Sequence, residues 1–447
     1  MRGMRGGPPA GPWRPEPACH CSEDLNLRIA VIGAGIVGVT TAYELVLAGH
    51  EVSVFEQRGS VASEGSFANA GLLGVGSIAP WCAPGKPWRV LRQLFSSQAT
   101  ARLAGPGALV HLPWLWRAWR AGQPGMYARQ SLAMQRLAQY SRQRLLELTR
   151  TLRLEFEQTA GHLVLLRGEA ELKAAQPGLA LLREWGVAHE LADPSRCRSI
   201  EPGLNEATRL HAGIYFAQDG VGNCRQFAHL LKAEAQRQGA NFRFDTRVRA
   251  IQPGAPVALD LVGPVAGGPE SFDAVVVCAG AAAMPLLERL GVKLPLLAVH
   301  GYSLTAPLRH VDGLATPGPH AALTDARRRV AITRMGQRVR VAGIAEIGGN
   351  TEHLAAGPLH LLHRVLDDWF PGAALSQKAQ HWKGARPALP DGPPVLGASG
   401  TPGVWLNLGH GDHGWTLACG SARVLAETLS GRNADIDATG LTIERLR

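Results

Sequence analysis

Near the start of the chain, glycines stand at a spacing suited to phosphate recognition: Gly33-Ala34-Gly35-Ile36-Val37-Gly38. Arg28-Ile29-Ala30-Val31-Ile32 precedes them and reads as a short buried strand. A helical stretch follows over 39–48, Gly49 ends it, and 51–55 reads as a second strand with Glu56 at its end. Each glycine has a physical reason. Gly33 permits a tight turn, Gly35 lets the backbone approach a pyrophosphate, and Gly38 lets helix and strand pack closely. The helix N-terminus then offers its unpaired N–H groups to the phosphates. Glu56 is placed to accept hydrogen bonds from ribose hydroxyls. Strand, helix, second strand and acid in register predict dinucleotide binding by Ile32, Gly33, Gly35, Ile36, Val37, Gly38 and Glu56. The pattern alone does not separate FAD from NAD.

Other segments bear on that choice. Residues 63–76 form a small-residue loop with few charges, where a flat ring can lie against backbone. A strand over 404–408 runs into Gly409-His410-Gly411-Asp412-His413-Gly414-Trp415-Thr416, and a helix follows over 417–429. This second strand–glycine loop–helix presents another helix N-terminus. A flavin needs one to hold its electron-rich N1/O2 edge when reduced, and a nicotinamide does not. His410 and His413 read either as satisfied loop histidines or as polar neighbours of that edge.

These motifs need a scaffold. The chain has 447 residues, enough for two or three domains. With 46% hydrophobic and 18% charged residues it is globular in composition. Strands and helices alternate at 28–56 and again over 205–292, where helix 224–238, strand 241–251 and buried run 272–277 precede Ala279 and Gly280. That alternation predicts one doubly wound, Rossmann-like sheet. Strand-like runs at 301–304, 331–333 and 338–343 predict an antiparallel sheet in a second, α+β domain. The predicted division is 28–85, 205–292 and 386–447 for the cofactor domain, and 86–204 with 293–385 for the second. A long helix is expected over 127–157.

Residues 1–27 are Gly/Pro-rich without an apolar h-region, and read as a disordered leader or an overextended start. No apolar run reaches the roughly 18 residues of a spanning helix. The seven cysteines are mostly scattered, which suits a reducing, cytoplasmic compartment. Cys19-His20-Cys21 supplies too few ligands for a metal, and none is expected.

The formal net charge of +10 is unevenly distributed. Residues 86–153 hold twelve basic residues against one acid, Glu147, together with Trp88, Phe95, Trp114, Trp116 and Trp119. Arginine with tryptophan is the composition of a peripheral membrane contact, here on the inner face of the cytoplasmic membrane. A solvated helical face over core tryptophans is the other reading. No nucleic-acid recognition motif accompanies the charge.

Taken together, these blocks resemble the FAD-dependent D-amino acid oxidase superfamily, with the bacterial D-amino acid dehydrogenase small subunits as the nearest branch. The resemblance runs from about Leu27 to the C-terminus. It is carried by 31–38, by Phe67-Ala68-Asn69-Ala70-Gly71 and by Ala79-Pro80-Trp81-Cys82-Ala83-Pro84-Gly85. His300-Gly301-Tyr302-Ser303-Leu304, Val341-Ala342-Gly343-Ile344-Ala345-Glu346, Trp382-Lys383-Gly384-Ala385-Arg386-Pro387, Pro390-Asp391-Gly392 and 408–416 carry the rest.

The resemblance implies a two-domain fold with non-covalent FAD. It implies oxidative deamination of a D-amino acid to a 2-oxo acid and ammonia, by hydride transfer from the α-carbon to flavin N5. Electrons then pass to a quinone or the respiratory chain. Glycine oxidase, sarcosine oxidase and D-hydroxyproline dehydrogenase are alternatives within the superfamily, and a non-catalytic flavoprotein subunit is another. By the same likeness Arg386 clamps the substrate carboxylate, for which its planar fork is suited. Tyr302 either closes the site with its hydroxyl or is a core tyrosine. Asn69, Ala70 and Gly71 contact the flavin through backbone, Val248 the adenine, and Gly411, Gly414, Trp415 and Thr416 the flavin edge. Cys82 lies near a site loop, but covalent flavin attachment is not expected. Two departures stand out. His300 replaces the usual Lys or Arg, and Asp412-His413 replaces a small-apolar pair.

Overall fold

The computed structural model describes residues 26–80, 101–104, 110–264, 268–309 and 318–446. Most of the expected leader, Cys19 and Cys21, the motif over 81–85 including Cys82, and the aromatics Trp88 and Phe95 lie outside the described residues.

The apolar run Arg28–Ile32 forms the middle of a six-stranded sheet. Across it the strands run Val395–Ala398, Val404–Leu408, Ala274–Val277, Arg28–Ile32, Glu51–Phe55 and Asn241–Arg243. All neighbours are parallel except the first two. Parallel strands must be covered on both faces, and these are. On one face lie the helices Ile36–Leu47, Cys224–Arg237 and Gly414–Leu429, sharing a core with Val31, Val54 and Val276. On the other, Ala30, Ile32 and Phe55 pack on a three-stranded antiparallel sheet of Arg247–Gln252, Val257–Val262 and Glu270–Phe272. The single strand expected over 241–251 is therefore two strands in two sheets. Asp245, at φ +52°, makes the turn between them.

The second sheet has ten strands. Its main path runs Gln380–Ala388, Leu297–Pro307, Arg338–Gly348, Val330–Met335, Ala322–Asp325, Gln158–Leu166, Ala212–Gly222 and Leu72–Leu73. Every contact on that path is antiparallel except that of Ala322–Asp325 with Gln158–Leu166. Helix Ala356–Trp369 covers one face through Leu362, Val365 and Trp369.

Two segments sit elsewhere than their sequence context suggests. Ala212–Gly222, expected in the cofactor sheet, pairs along its length with Gln158–Leu166 in the second sheet. The long helix, expected in the second domain over 127–157, is Pro124–Thr151 and packs on the first. Its Leu145 and Leu148 join Val39, Ala42 and Leu425, and its Met134 and Leu137 join Leu417. Arg144 binds buried Glu44 with two hydrogen bonds of 2.7 and 3.0 Å, tying that helix to Ile36–Leu47. The boundaries expected at 86 and 205 are thus not the boundaries of the sheets.

Candidate active site

A cavity of about 960 Å³ opens where Arg28–Ile32, Glu51–Phe55, Ala274–Val277 and Val404–Leu408 end. Open α/β sheets bind ligands at these carboxyl ends. The second sheet forms the cavity's far wall through Tyr302, Thr324, Ala331, Gly343 and Arg386.

The glycine turn works by close packing. Gly33 has φ +99°, and Gly35 caps the helix Ile36–Leu47 in extended conformation with no side-chain cap. No acid occupies the first turn. The helix begins earlier than the expected residue 39 because Gly38 lies inside it. A Cβ on Gly38 would stand 1.8 Å from the Gly33 carbonyl oxygen. Gly38 therefore does not line the cavity; it lets the turn close. Glu56 accepts from the Ala34 and Arg58 amides at 2.8 and 2.9 Å, which fixes its carboxylate at the cavity edge. Ile32, Gly33, Gly35, Ile36, Val37 and Glu56 all line the cavity. So do Asn69, Ala70, Val248, Ala279 and Gly280.

Gly71 does not line the cavity. At φ +72°, with its Cβ position 3.0 Å from the Gly222 carbonyl oxygen, its glycine is set by backbone behind the wall. The loop ahead of it is pinned from outside: Arg340 donates to the Asn69 carbonyl at 3.0 Å and Thr333 to that of Ala70 at 2.8 Å.

A second helix N-terminus faces the same cavity, as the glycine loop predicts. Gly414–Leu429 has no side-chain cap and no acid in its first turn, and Gly411, Gly414, Trp415 and Thr416 line the cavity. Trp415 anchors this end by donating Nε1 to the Gly222 carbonyl at 3.0 Å. His410 is buried and pairs with Ser421 Oγ at 3.0 Å; burial pushes its pKa down to about 3, so it is neutral. His413 Nε2 donates to the Ala79 carbonyl at 3.0 Å and lies 3.3 Å from Asp412 Oδ1. Burial opposes charge on Asp412, yet His413 and Arg386 hold its carboxyl below the ordinary range, and it faces the cavity ionised.

The substrate end centres on Arg386. Its Nη1 donates to the Ile344 carbonyl at 3.1 Å. A Cβ on Gly301 would lie 2.3 Å from Nη2, so this glycine makes room for the guanidinium. Burial lowers its pKa against the pull of Asp412, but a guanidinium stays charged. Tyr302 borders the cavity, and its hydroxyl is held by Glu346. It is 1% exposed and donates to Glu346 Oε2 at 2.8 Å, while Lys383 holds Glu346 Oε1 at 2.6 Å. The closing role considered for Tyr302 gives way to a core tyrosine bracing the wall. His300 lines the cavity and donates Nδ1 to the Gly348 carbonyl at 3.1 Å. Burial and then Lys383 lower its pKa, so it brings no charge at neutral pH. The nearby cation is Lys383.

Sequence reasoning missed a buried group at the same wall. His162 and Asp219 meet there with Ser77 and Thr324, from four segments far apart in the chain. Asp219-Gly220 reads as a turn in sequence but lies inside a strand. No spacing signal joins these residues. Among the described residues, no group of three or more potential metal ligands is assembled.

Two uncapped helix ends facing one cavity, with an acid at the end of the second strand, suit an extended dinucleotide whose ring lies at the far end. The sequence matches the FAD dependent oxidoreductase family termed DAO over residues 28–428. The chain belongs to this family. As a DAO-family FAD-dependent oxidoreductase, it is 40% identical over 423 residues to a protein named D-amino acid dehydrogenase from Cereibacter sphaeroides, covering 94% of this chain and 95% of that one. It is 38% identical to one of the same name from Sinorhizobium medicae, covering 94% and 100%. Among solved structures it resembles glycine oxidase from Geobacillus kaustophilus, with TM-score 0.71 at 21% identity over 94% of this chain and 98% of that one. L-proline dehydrogenase from P. horikoshii gives 0.69 at 19%, with the same coverage. These likenesses agree with the α/β, two-domain fold. Within the family fold, the N-terminus of Ile36–Leu47 and Glu56 suit the diphosphate and ribose of FAD, and the N-terminus of Gly414–Leu429 suits its ring. Bound FAD supplies a two-electron hydride acceptor.

Proposed function

We propose that the protein dehydrogenates D-amino acids to 2-oxo acids and ammonia. The observation that carries this is Arg386, a charged planar fork lining the cavity whose hydrogen-bond partner among the described residues is the Ile344 carbonyl. Such a fork binds a carboxylate bidentately. The names of the relatives at 38–40% identity support the same substrate class. Arg386 holds the carboxylate, the glycine loop 409–414 and the 69–70 backbone border the reacting end, and the second sheet excludes water.

Anaerobic mixing with a panel of amines tests the reading. D-alanine and D-proline are expected to bleach the flavin, with glycine and sarcosine slower by at least about tenfold. Bleaching by glycine or sarcosine while both D-amino acids leave the flavin oxidised assigns the protein to the other amine oxidases of the family.

The electron acceptor in this proposal is a membrane quinone, and helix Leu112–Ala121 is the docking surface. Of its tryptophans, Trp114 is core, donating to the Pro295 carbonyl at 2.9 Å, whereas Trp116 and Trp119 are 53% and 41% exposed. Val110 and Leu112 are exposed beside them, with Arg117 and Arg120 on the same helix. Exposed Trp and Leu flanked by Arg fit an anionic lipid surface. No described helix is long and apolar enough to cross a membrane. The protein is expected to cosediment with anionic vesicles at low salt, and the double variant Trp116→Ala/Trp119→Ala to lose at least about tenfold in affinity. Equal binding by the variant removes this surface from the proposal.

A further inference from the structure

We propose that His162 accepts the proton of the substrate's ammonium group, reached through the hydroxyl of Thr324. This rests on the amino-acid reading above and adds a proton acceptor to it.

Asp219 is 3% exposed, and its carboxylate accepts from the Gly76 amide at 2.7 Å, the Ser77 amide at 3.1 Å and Ser77 Oγ at 3.0 Å. Since a carboxylate only accepts, the single Ser77 hydroxyl proton goes to Asp219. His162 Nδ1, 3.2 Å from Ser77 Oγ, must then be the donor there. It also lies 3.6 Å from Asp219 Oδ2. The lone pair of the ring is therefore on Nε2. Nε2 is 2.8 Å from Thr324 Oγ1, so the threonine hydroxyl donates to it. That leaves the oxygen's lone pairs free to accept from a donor in the cavity, which both Thr324 and Ser77 line.

His162 is 2% exposed and does not itself line the cavity. The packing around it comes from Ser77, Thr324 and the Phe216 ring, whose centroid lies 6.1 Å away. Among the described residues that contact it, Asp219 is the charged one. A buried imidazole oriented by a carboxylate-bound network, with its basic nitrogen behind a cavity hydroxyl, has the arrangement of an oriented general base.

The chemistry balances. An amino acid binds as an ammonium, whose nitrogen has no lone pair to drive loss of the α-hydrogen. One ammonium proton passes to Thr324 Oγ1 as the proton of Oγ1 passes to His162 Nε2. The nitrogen gains its lone pair, and the imidazolium is balanced by Asp219. The α-hydrogen and its electron pair leave afterwards, in the dehydrogenation itself.

The test uses the FAD-loaded protein with His162→Gln, Thr324→Val and Thr324→Ser. Anaerobic reduction by D-alanine is followed from about pH 6 to about pH 10. At about pH 7, His162→Gln and Thr324→Val are expected to be roughly 100-fold slower, the size usual for a general base. The deficit should shrink about tenfold per pH unit as the free amine becomes available from solution, and Thr324→Ser, which keeps the hydroxyl, should recover most of the rate lost in Thr324→Val. A purely structural role leaves a deficit that does not change with pH, and that result overturns the proposal.

A second readout needs no turnover. 2-Aminoisobutyrate carries the carboxylate and ammonium but no α-hydrogen, and its binding is read from the flavin absorbance. Wild-type affinity is expected to fall on acidification, and this acid limb to vanish in His162→Gln. An unchanged limb in that variant rejects His162 as the acceptor. If no D-amino acid reduces the wild-type flavin, the functional reading fails separately, while this binding limb still reports on His162.

Discussion

Arg386→Leu is expected to lower kcat/KM for a D-amino acid by about a thousandfold, mostly through KM. Two charge-assisted hydrogen bonds are lost, each worth about 1.5–3 kcal/mol, and a tenfold change is about 1.4 kcal/mol. Arg386→Lys keeps the charge but not the fork, and should fall between wild type and Leu. The flavin spectrum should be unchanged in both, because in this proposal Arg386 meets the substrate rather than FAD. Steady-state kinetics with D-alanine check the expectation, and a Leu variant within about threefold of wild type removes Arg386 as the clamp. Gly301→Ala offers an independent approach. Its Cβ would lie 2.3 Å from Arg386 Nη2, so it should displace the fork and raise KM without altering charge.

Gly38→Ala is expected to yield protein with little bound FAD and a stability lower by about 1–3 kcal/mol, the range for overpacking. The new Cβ would stand 1.8 Å from the Gly33 oxygen and 2.9 Å from the Gly33 carbonyl carbon, both backbone atoms at the turn itself. The turn must open, and with it the approach of phosphate to the helix end. Gly35→Ala is the instructive contrast. Its Cβ would meet only Ser66 Oγ, at 3.4 Å, so the fold should persist while the pyrophosphate is pushed away. Flavin content of purified protein and thermal denaturation of the apoprotein separate the two effects. A Gly38→Ala variant that keeps full FAD and wild-type Tm contradicts the packing argument.

The residues legible in the sequence are those whose role is local. Ile32 to Gly38 and Glu56 lie within one strand–helix–strand unit, where φ, close approach and the helix end act over a few residues. Gly411, Gly414, Trp415 and Thr416 were legible for the same reason. The resemblance added Arg386 and Val248, and both line the cavity. Gly71 does not line the cavity, and what calls for glycine there is its φ of +72° and the Gly222 carbonyl, in a strand remote in sequence. Tyr302 admits two readings in the sequence, and its hydroxyl's partner, Glu346 in the neighbouring strand, is visible only in the fold.

FAD rather than NAD comes with the family resemblance; by itself, the sequence determined the dinucleotide-binding strand–helix–strand unit and the chemistry of its turns. These follow from apolar periodicity and from backbone geometry that a few adjacent residues set. The tertiary structure alone decided which sheet holds Ala212–Gly222, where the long helix packs, which way Tyr302 points, and that His162 meets Asp219, Ser77 and Thr324. Those outcomes depend on register between strands brought together by folding. A side chain's partner across a sheet is fixed by pairing at a distance, and no spacing along the chain encodes it.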